Sequence, residues 1–386
     1  MRCVVASIVL FLCACVAPTN AHDGGAEDAG VIVDSGVPFD AGVITSTLIV
    51  KYPAGTHTLS VRGNRAPFNW TSGVPMHQLD GDTWTLTVTT LEGDLEWKPL
   101  LDDATWSLGP NWNAHAGGTT EVAPRFFTAS GTWSRYWPSF SSALLGNTRG
   151  VYVYLPPTYA ENTAARFPVV YMHDGQNLFD PSAAFGGVTW GVAETMNAGA
   201  DDGSIREAIV IGPENAGAAR IDEYTPTADP TYGGGDGGLY LRFVVEELKP
   251  TVDATFRTRT GAADTVMVGS SLGGLITSYA GVTHADTFGA IGVMSPSTWW
   301  DGRVILSLVS ASGPVRPLRV YLDSGDSGPS SDDVDNTRDL AQVYTSLGYA
   351  DAGVFRYTVQ AGGTHTEAAW ASRLPGAMGF LLGRGR

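Results

Sequence analysis

The chain has 386 residues, too many for one small core and comfortable for two domains, and at 43% hydrophobic and 16% charged most of it can fold. Its net charge of −16 argues against nucleic acid and against adhesion to anionic lipid headgroups. All three cysteines (Cys3, Cys13 and Cys15) lie at the N-terminal end, so the remainder can hold no internal disulfide and no thiolate metal site.

Residues 1–21 read as an export signal: Arg2 supplies the positive end, and the apolar run Val4–Leu12 is too short for a permanent membrane helix. Leu12-Cys13-Ala14-Cys15 resembles a bacterial lipobox with Cys15 as the lipidated residue. Ordinary cleavage near Thr19-Asn20-Ala21 is the alternative. Either way the protein is expected outside the cytoplasm, as an outer-surface or periplasmic lipoprotein or a secreted protein. Any membrane contact would run through the lipid anchor. Residues 22–45 are rich in Asp, Ala and Gly and contain no Lys or Arg, which predicts a flexible acidic linker.

From residue 46 to 126 the character changes. "TLIVKY", "HTLSVRG", "TWTLTVTTL" and "DLEWKPLL" are short, β-branched and partly alternating, with Asp80-Gly81-Asp82 as a turn signal. This predicts a small all-β sandwich. Residues 127–148 read as a connector. From 139 to 386 apolar strand-like runs alternate with helical segments: "GVYVYLP", "FPVVYMHDG", "EAIVIGP", "TVMVGSS", "AIGVMSP", "LRVYLDSGD" and "VFRYTVQAGG". Their near-continuous apolar character suits a mostly parallel sheet with helices on both faces, an α/β domain behind a β-module. One helix is expected to run from Leu239 and stop at Lys249-Pro250, another from Asp333 to Leu347 before Gly348.

The chemistry centres on "VMVGSSLGGL". Gly269-Ser270-Ser271-Leu272-Gly273 fits G-x-S-x-G, which alone is weak, but here it joins a strand to a helix. The glycines leave room for a strained turn that exposes Ser271 Oγ, and the helix start offers free N–H groups to an oxyanion. Ser271 is therefore the candidate nucleophile. In this fold the acid and then the base follow the serine. His365 lies in "QAGGTHTEAAW" after the last strand and is the candidate base, while His284 reads as structural. Thr364 and Glu367 suggest a capping box for the final helix. The acid is expected to be Asp326, in the turn just past its strand. Asp332 and Asp333 are alternatives, each with an ordinary role at a helix start. The oxyanion donors would be the N–H of Leu272 and, from "MHDGQNLF", that of Gln176 behind the turn at Gly175. His173 and Asp174 would shape that loop.

At this point residues 139–386 resemble the esterase family of α/β-hydrolases that includes enterochelin esterases and feruloyl- and acetyl-ester hydrolases. The resemblance rests on "LGNTRGVYVYLPPTY", "FPVVYMHDGQNLFD", "TWGVAETM", "GLYLRFVVEELKPTVDATFRT", "VGSSLGGL" and "THTEAAWASRLP" in order. It implies a serine carboxylic-ester hydrolase with Ser271 and His365 in the roles argued above. The acid loop "SGDSGPSSDD" departs from the family by its length. Residues 46–126 resemble a starch-binding-type carbohydrate module. Trp70, Trp84, Lys98, Trp106 and Asn111 are its candidate glycan contacts, and core packing is the rival role for the tryptophans. No motif indicates a metal, a cofactor or a nucleotide. The expected substrate is an acyl ester on a polysaccharide or a siderophore-type ester. An acyltransferase on the same fold and a glycan-binding protein with an idle hydrolase domain are the rival readings. Specificity would lie in the loops "FDPSAAFGGVTW" and "ENAGAARIDEYTPTADPTYGGGDGG", where Arg220 and Glu223 are expected to pair with each other.

Overall fold

The computed structural model describes residues 44–90, 93–314 and 318–383. The export signal, Cys15 and all of the acidic linker before residue 44 lie outside the described residues. Among the described residues the first elements are the strands β1 (Ile44–Lys51), β2 (Leu59–Gly63), β3 (Val74–Pro75), β4 (His77–Gln78), β5 (Thr83–Thr90), β6 (Leu95–Leu101), β7 (Thr105–Trp106), β8 (Trp112–Ala114) and β9 (Thr119–Val122). They form two sheets, β4-β5-β1-β9 and β3-β2-β6-β7 with β8 against β6. Alternation makes this a sandwich. Leu48 and Val50 of β1, Trp84 and Val88 of β5, and Leu95 and Trp97 of β6 point into one shared core.

The second part contributes β10 (Thr132–Ser142), β11 (Asn147–Leu155), β12 (Val169–Met172), β13 (Ile209–Pro213), β14 (Thr265–Ser271), β15 (Ala290–Pro296), β16 (Arg319–Gly325) and β17 (Phe355–Gln360). Its helices are α1 (Pro157–Glu161), α2 (Val192–Asp202), α3 (Arg220–Glu223), α4 (Gly237–Arg242), α5 (Lys249–Thr255), α6 (Leu272–Thr283), α7 (Trp300–Ala311), α8 (Val334–Ser346) and α9 (Glu367–Leu382). The sheet order is β10-β11-β13-β12-β14-β15-β16-β17. β10, β11 and β13 pair antiparallel and the rest parallel. Successive residues bury on opposite faces. Val169, Tyr171, Ile211 and Met267 join one apolar cluster with α4 to α8, and Val170, Met172, Val210 and Val268 join another with α2 and α9. Each such side chain, fully buried, contributes about 1.5–3 kcal/mol.

Two elements differ from the sequence reading. The expected connector contains β10, an exposed edge strand with register shifts near Trp137, whose aromatic and serine residues do not alternate. The helix through Leu248 does not stop at Pro250. A π segment, Phe243–Leu248, links α4 to α5, and the backbone stays helical through Leu248 and Lys249 into Pro250.

The β-sandwich is fastened to the α/β part beside α1. Glu161 accepts hydrogen bonds from the N–H groups of Phe126, Phe127 and Thr128 at 2.5, 3.0 and 2.8 Å, and from Tyr52 Oη at 3.1 Å. Asn162 donates to the carbonyls of Lys51 and Pro124 at 2.8 and 2.9 Å. The fully buried Arg125 reaches Asp201 at 2.5 Å. These contacts precede β12, at the amino ends of the parallel strands. Loops after the carboxyl ends of those strands, at the opposite edge, carry the residues described next.

Candidate active site

Ser271 ends β14 and caps α6 with φ 59° and ψ −125°, a strained conformation for a non-glycine residue. The surrounding glycines permit it. A Cβ at Gly269 would stand 2.5 Å from the Gly273 carbonyl oxygen and 2.7 Å from the His173 ring. At Gly274 it would stand 2.8 Å from the Met294 carbonyl oxygen. The serine is thus held at the mouth of a turn that larger neighbours would prise open. Ser271 Oγ lies 3.4 Å from Ser297 Oγ, and the Ser297 N–H donates to the Ser271 carbonyl at 3.0 Å.

Ser271, His365, Gln176, Arg220, Phe185 and Trp370 line one cleft of about 310 Å³. His365 makes no hydrogen bond to Ser271. Its Nδ1 is 2.6 Å from Asp332 Oδ1, and its ring meets Trp370 edge-on at 5.0 Å. Asp332 is buried and half of a cradle: its Oδ2 accepts from Ser295 Oγ at 2.6 Å and from the Gly325 N–H. Burial alone would raise the Asp332 pKa. The hydrogen bonds from His365, Ser295 and Gly325 outweigh it and hold the carboxyl below the ordinary carboxylate value.

Asp326, the residue expected as acid, does not meet His365. It is exposed, and its carboxylate accepts the Gly362 N–H at 2.7 Å, tying two turns together. The reason is the path of the long loop. Ser331, Asp332 and Asp333 take φ values of 49°, 52° and 55°, which turns the chain back and swings Asp332 under the imidazole. Asp333 accepts from Asn336 Nδ2 at 2.7 Å, and burial raises its pKa.

Gln176 lies in a 3₁₀ turn, Gly175–Asn177, after β12, and Leu272 is the first residue of α6. Both N–H groups therefore precede the first helical hydrogen bond of their element. Gly175 is packed against the backbone of Gly212, so only glycine fits there. His173 is fully buried, its Nδ1 2.9 Å from Tyr240 Oη, and burial pushes its pKa down to about 4. Asp174 is a hub on the cleft wall. It takes Arg220 Nε at 2.8 Å, an Arg220 Nη at 2.9 Å and Asn215 Nδ2 at 2.6 Å. Arg220 and Glu223 consequently do not pair. Glu223 is buried against Arg149 at 2.7 Å, so each of the two side chains of α3 is held by a partner distant in sequence. The cap of α9 also sits later than expected: Thr366, not Thr364, accepts from the helix, at Ala369 N. Burial raises the Glu367 carboxyl above its ordinary value.

The five proposed glycan contacts are not one surface. Trp84 is a core residue, 5% exposed, with Nε1 donating to the Tyr52 carbonyl at 3.2 Å. Lys98 donates to the Gly109 carbonyl at 2.5 Å, and Asn111 to Glu96 at 2.7 Å. Trp70 and Trp106 remain exposed, their rings 6.2 Å apart, with the Arg62 guanidinium 5.1 Å from the Trp106 ring. Ser295, Ser297, Asn215 and Arg373 were not singled out by the sequence. For Ser297 a signal existed: it follows directly on the carboxyl end of β15, beside the serine-bearing β14.

Residues 141–381 match the family model described as "Putative esterase". The chain belongs to this esterase family. It is a carboxylic ester hydrolase with an α/β-hydrolase fold preceded by a small all-β sandwich. An uncharacterized protein of Bacillus subtilis strain 168, YbbA, is 27% identical over 262 residues, covering 64% of this chain and 98% of YbbA. A siderophore triacetylfusarinine C esterase of Aspergillus fumigatus is 28% identical over 181 residues, covering 44% of this chain and 59% of that enzyme. Among solved structures, a ferulic acid esterase shares the fold with a TM-score of 0.50 at 20% identity, covering 66% of this chain and 99% of that one. Among the described residues no helix is long and apolar enough to cross a membrane, and no cluster of three or more His, Cys, Asp or Glu could hold a metal ion.

Proposed function

We propose that this esterase works through an acyl-enzyme formed on Ser271. His365 takes the Ser271 hydroxyl proton as the oxygen attacks the ester carbonyl, and Asp332 orients and steadies the resulting imidazolium. The N–H groups of Leu272 and Gln176 receive the oxyanion. The alcohol leaves with the proton from His365. Water, deprotonated by the same imidazole, then releases the acid and restores the serine. The observation that carries this reading is a serine in a strained strand-to-helix turn, sharing one cleft with a histidine held by a buried carboxylate. Asp332 replaces Asp326 as the proposed acid. The test compares Asp332→Asn with Asp326→Asn on p-nitrophenyl acetate. Loss of kcat by roughly 10³–10⁴-fold in the first and little change in the second is expected; the reverse would overturn the assignment.

The cleft lining supports a reading of the substrate class. Phe185 is 76% exposed although it lines the cleft, and the buried Trp190 and Trp370 lie in the same lining. Asp174, Arg220 and Asn215 line the same cleft as a polar group hydrogen-bonded together. An ester that joins a flat ring to a hydroxyl-rich or amide-bearing part suits a lining of both kinds. Siderophore-type esters and aryl esters of polysaccharides both have that form. Transfer of the acyl group to a sugar hydroxyl instead of water uses the same groups, and diversion of product by added sugar alcohols would reveal it.

Export is proposed from Arg2 and the apolar run Val4–Leu12, with Cys15 as the anchor. The exposed Trp70–Trp106 pair favours glycan binding by the β-sandwich, on a surface without Trp84, Lys98 or Asn111. Retention on insoluble starch, lost in Trp106→Ala, would support it.

A further inference from the structure

Behind Asp332, on the side away from His365, lies a buried polar chain. Ser295, at the end of β15, donates its hydroxyl hydrogen to Asp332 Oδ2 at 2.6 Å. The same Ser295 oxygen accepts from an Arg373 Nη at 2.6 Å. Arg373 Nε donates to Asp323 Oδ2 at 3.0 Å, and Asp323 Oδ1 accepts the backbone N–H of Ser295 at 3.1 Å. Its other Nη reaches Gln360 Oε1 at 2.9 Å. Ser295 and Asp323 are fully buried and Arg373 is 8% exposed.

A serine hydroxyl is ordinarily a rotor, able to donate in several directions. Here Arg373, which can only donate, occupies one lone pair of Ser295 Oγ. The single hydroxyl hydrogen is thereby left to Asp332. Asp323 balances the guanidinium charge and grips the Ser295 backbone, so the serine is held at both ends; its φ of 36° shows that the surroundings determine its conformation. Arg373 itself projects from α9, the helix that follows His365 directly. One guanidinium therefore links the base-bearing segment to β15 and β16.

We infer that Ser295 and Arg373 are positioning residues: they orient the Asp332 carboxylate toward His365 and keep it a hydrogen-bond acceptor during the reaction. Neither touches substrate. The inference rests on the proposed roles of His365 and Asp332.

The test is a double-mutant cycle on the full chain with p-nitrophenyl acetate and a fluorophosphonate probe. Ser295→Ala should lower kcat and the labelling rate by roughly 10- to 100-fold, the worth of one hydrogen bond to a charged group, with KM nearly constant. In an Asp332→Asn background the same change should cost less than about twofold, because its target is already gone. An equal loss in both backgrounds would mean that Ser295 only supports the fold and would overturn the inference. Arg373→Lys, which keeps the charge beside Asp323 but lacks the two-armed fork, passes through the same cycle if Ser295→Ala does not fold. It should show the same non-additivity, and additive losses would again refute the idea. Full activity of Asp332→Asn alone would instead defeat the assignment of the acid, and full activity of Ser295→Ala beside an inactive Asp332→Asn would defeat only this inference.

Discussion

Gly175→Ala tests how the fold aims a backbone donor at the reaction. A Cβ at residue 175 would stand 2.0 Å from the Gly212 carbonyl oxygen, 2.5 Å from its carbonyl carbon and 2.9 Å from that of Pro213. All three are backbone atoms of β13, which is paired on both sides and cannot rotate away. The 175–177 turn must therefore retreat by about 1 Å, and a misplacement of that size costs on the order of 100-fold in rate. Loss of one oxyanion donor costs on the order of 10²–10³-fold in kcat. Overpacking should also lower stability by about 1–3 kcal/mol. Kinetics on p-nitrophenyl acetate and a thermal melt read both effects. The expected variant folds, melts a few degrees lower, and loses at least about 100-fold in kcat with KM within about threefold. Gly212→Ala is the control, since its Cβ meets the movable Leu178 Cδ1 at 2.7 Å and the Gly175 Cα only at 3.1 Å. A Gly175→Ala enzyme with a lowered melting point and undiminished kcat would refute the claim that this turn supplies an oxyanion donor.

Other outcomes follow from the same geometry. Glu161→Ala strips the acceptor from Phe126, Phe127, Thr128 and Tyr52, and should lower stability in urea by about 2–4 kcal/mol, discounted for partial exposure. Because Glu161 sits at the edge of the sheet opposite Ser271, kcat should change less than about twofold, and a large kcat loss would contradict the separation. Trp84→Ala should cost about 3–5 kcal/mol, as a buried tryptophan does, and Trp106→Ala less than about 1 kcal/mol; equal losses would contradict their placement. His173 carries a pH signature. Unfolded it binds a proton near 6.5, but folded it stays neutral down to about 4. Its contribution is present above 6.5 and is lost as pH falls through that window, by about 3 kcal/mol in all. Asp323, raised by burial to about 6, acts in the opposite sense, gaining stability as pH falls from 6 toward 3.8. The quantity to measure is therefore the stability of the wild type minus that of His173→Gln, which should shrink by about 3 kcal/mol from pH 7 to pH 4. Parallel curves would show that the buried imidazole is not the cause.

Much of the site could be read from local pattern. A β-branched run ending in Gly269-Ser270-Ser271-Leu272-Gly273 needs only strand, turn and helix propensities to place Ser271, and His365 follows from chain order. The choice of partner for His365 among Asp326, Asp332 and Asp333 could not be made this way. Asp332 reaches it through left-handed φ values at Ser331, Asp332 and Asp333, none of them glycine, so no residue type announces the turn. The partner of Arg220 is hidden for a similar reason. Its neighbour in sequence is Glu223, but its partner is Asp174, 46 positions away. Trp84 shows the reverse error, since an alternating strand does not say which of its faces meets the second sheet. β10 is not legible in the sequence because an exposed edge strand has no apolar period.

The most direct test of the account is whether Ser271 is an activated nucleophile. The chain from residue 22 onward is treated with a fluorophosphonate probe beside Ser271→Ala, and the labelled peptide is mapped. Labelling of the wild type at Ser271, absent from the variant, is the predicted result. A correctly folded wild type that takes no label, or equal labelling of Ser271→Ala, would contradict the serine mechanism.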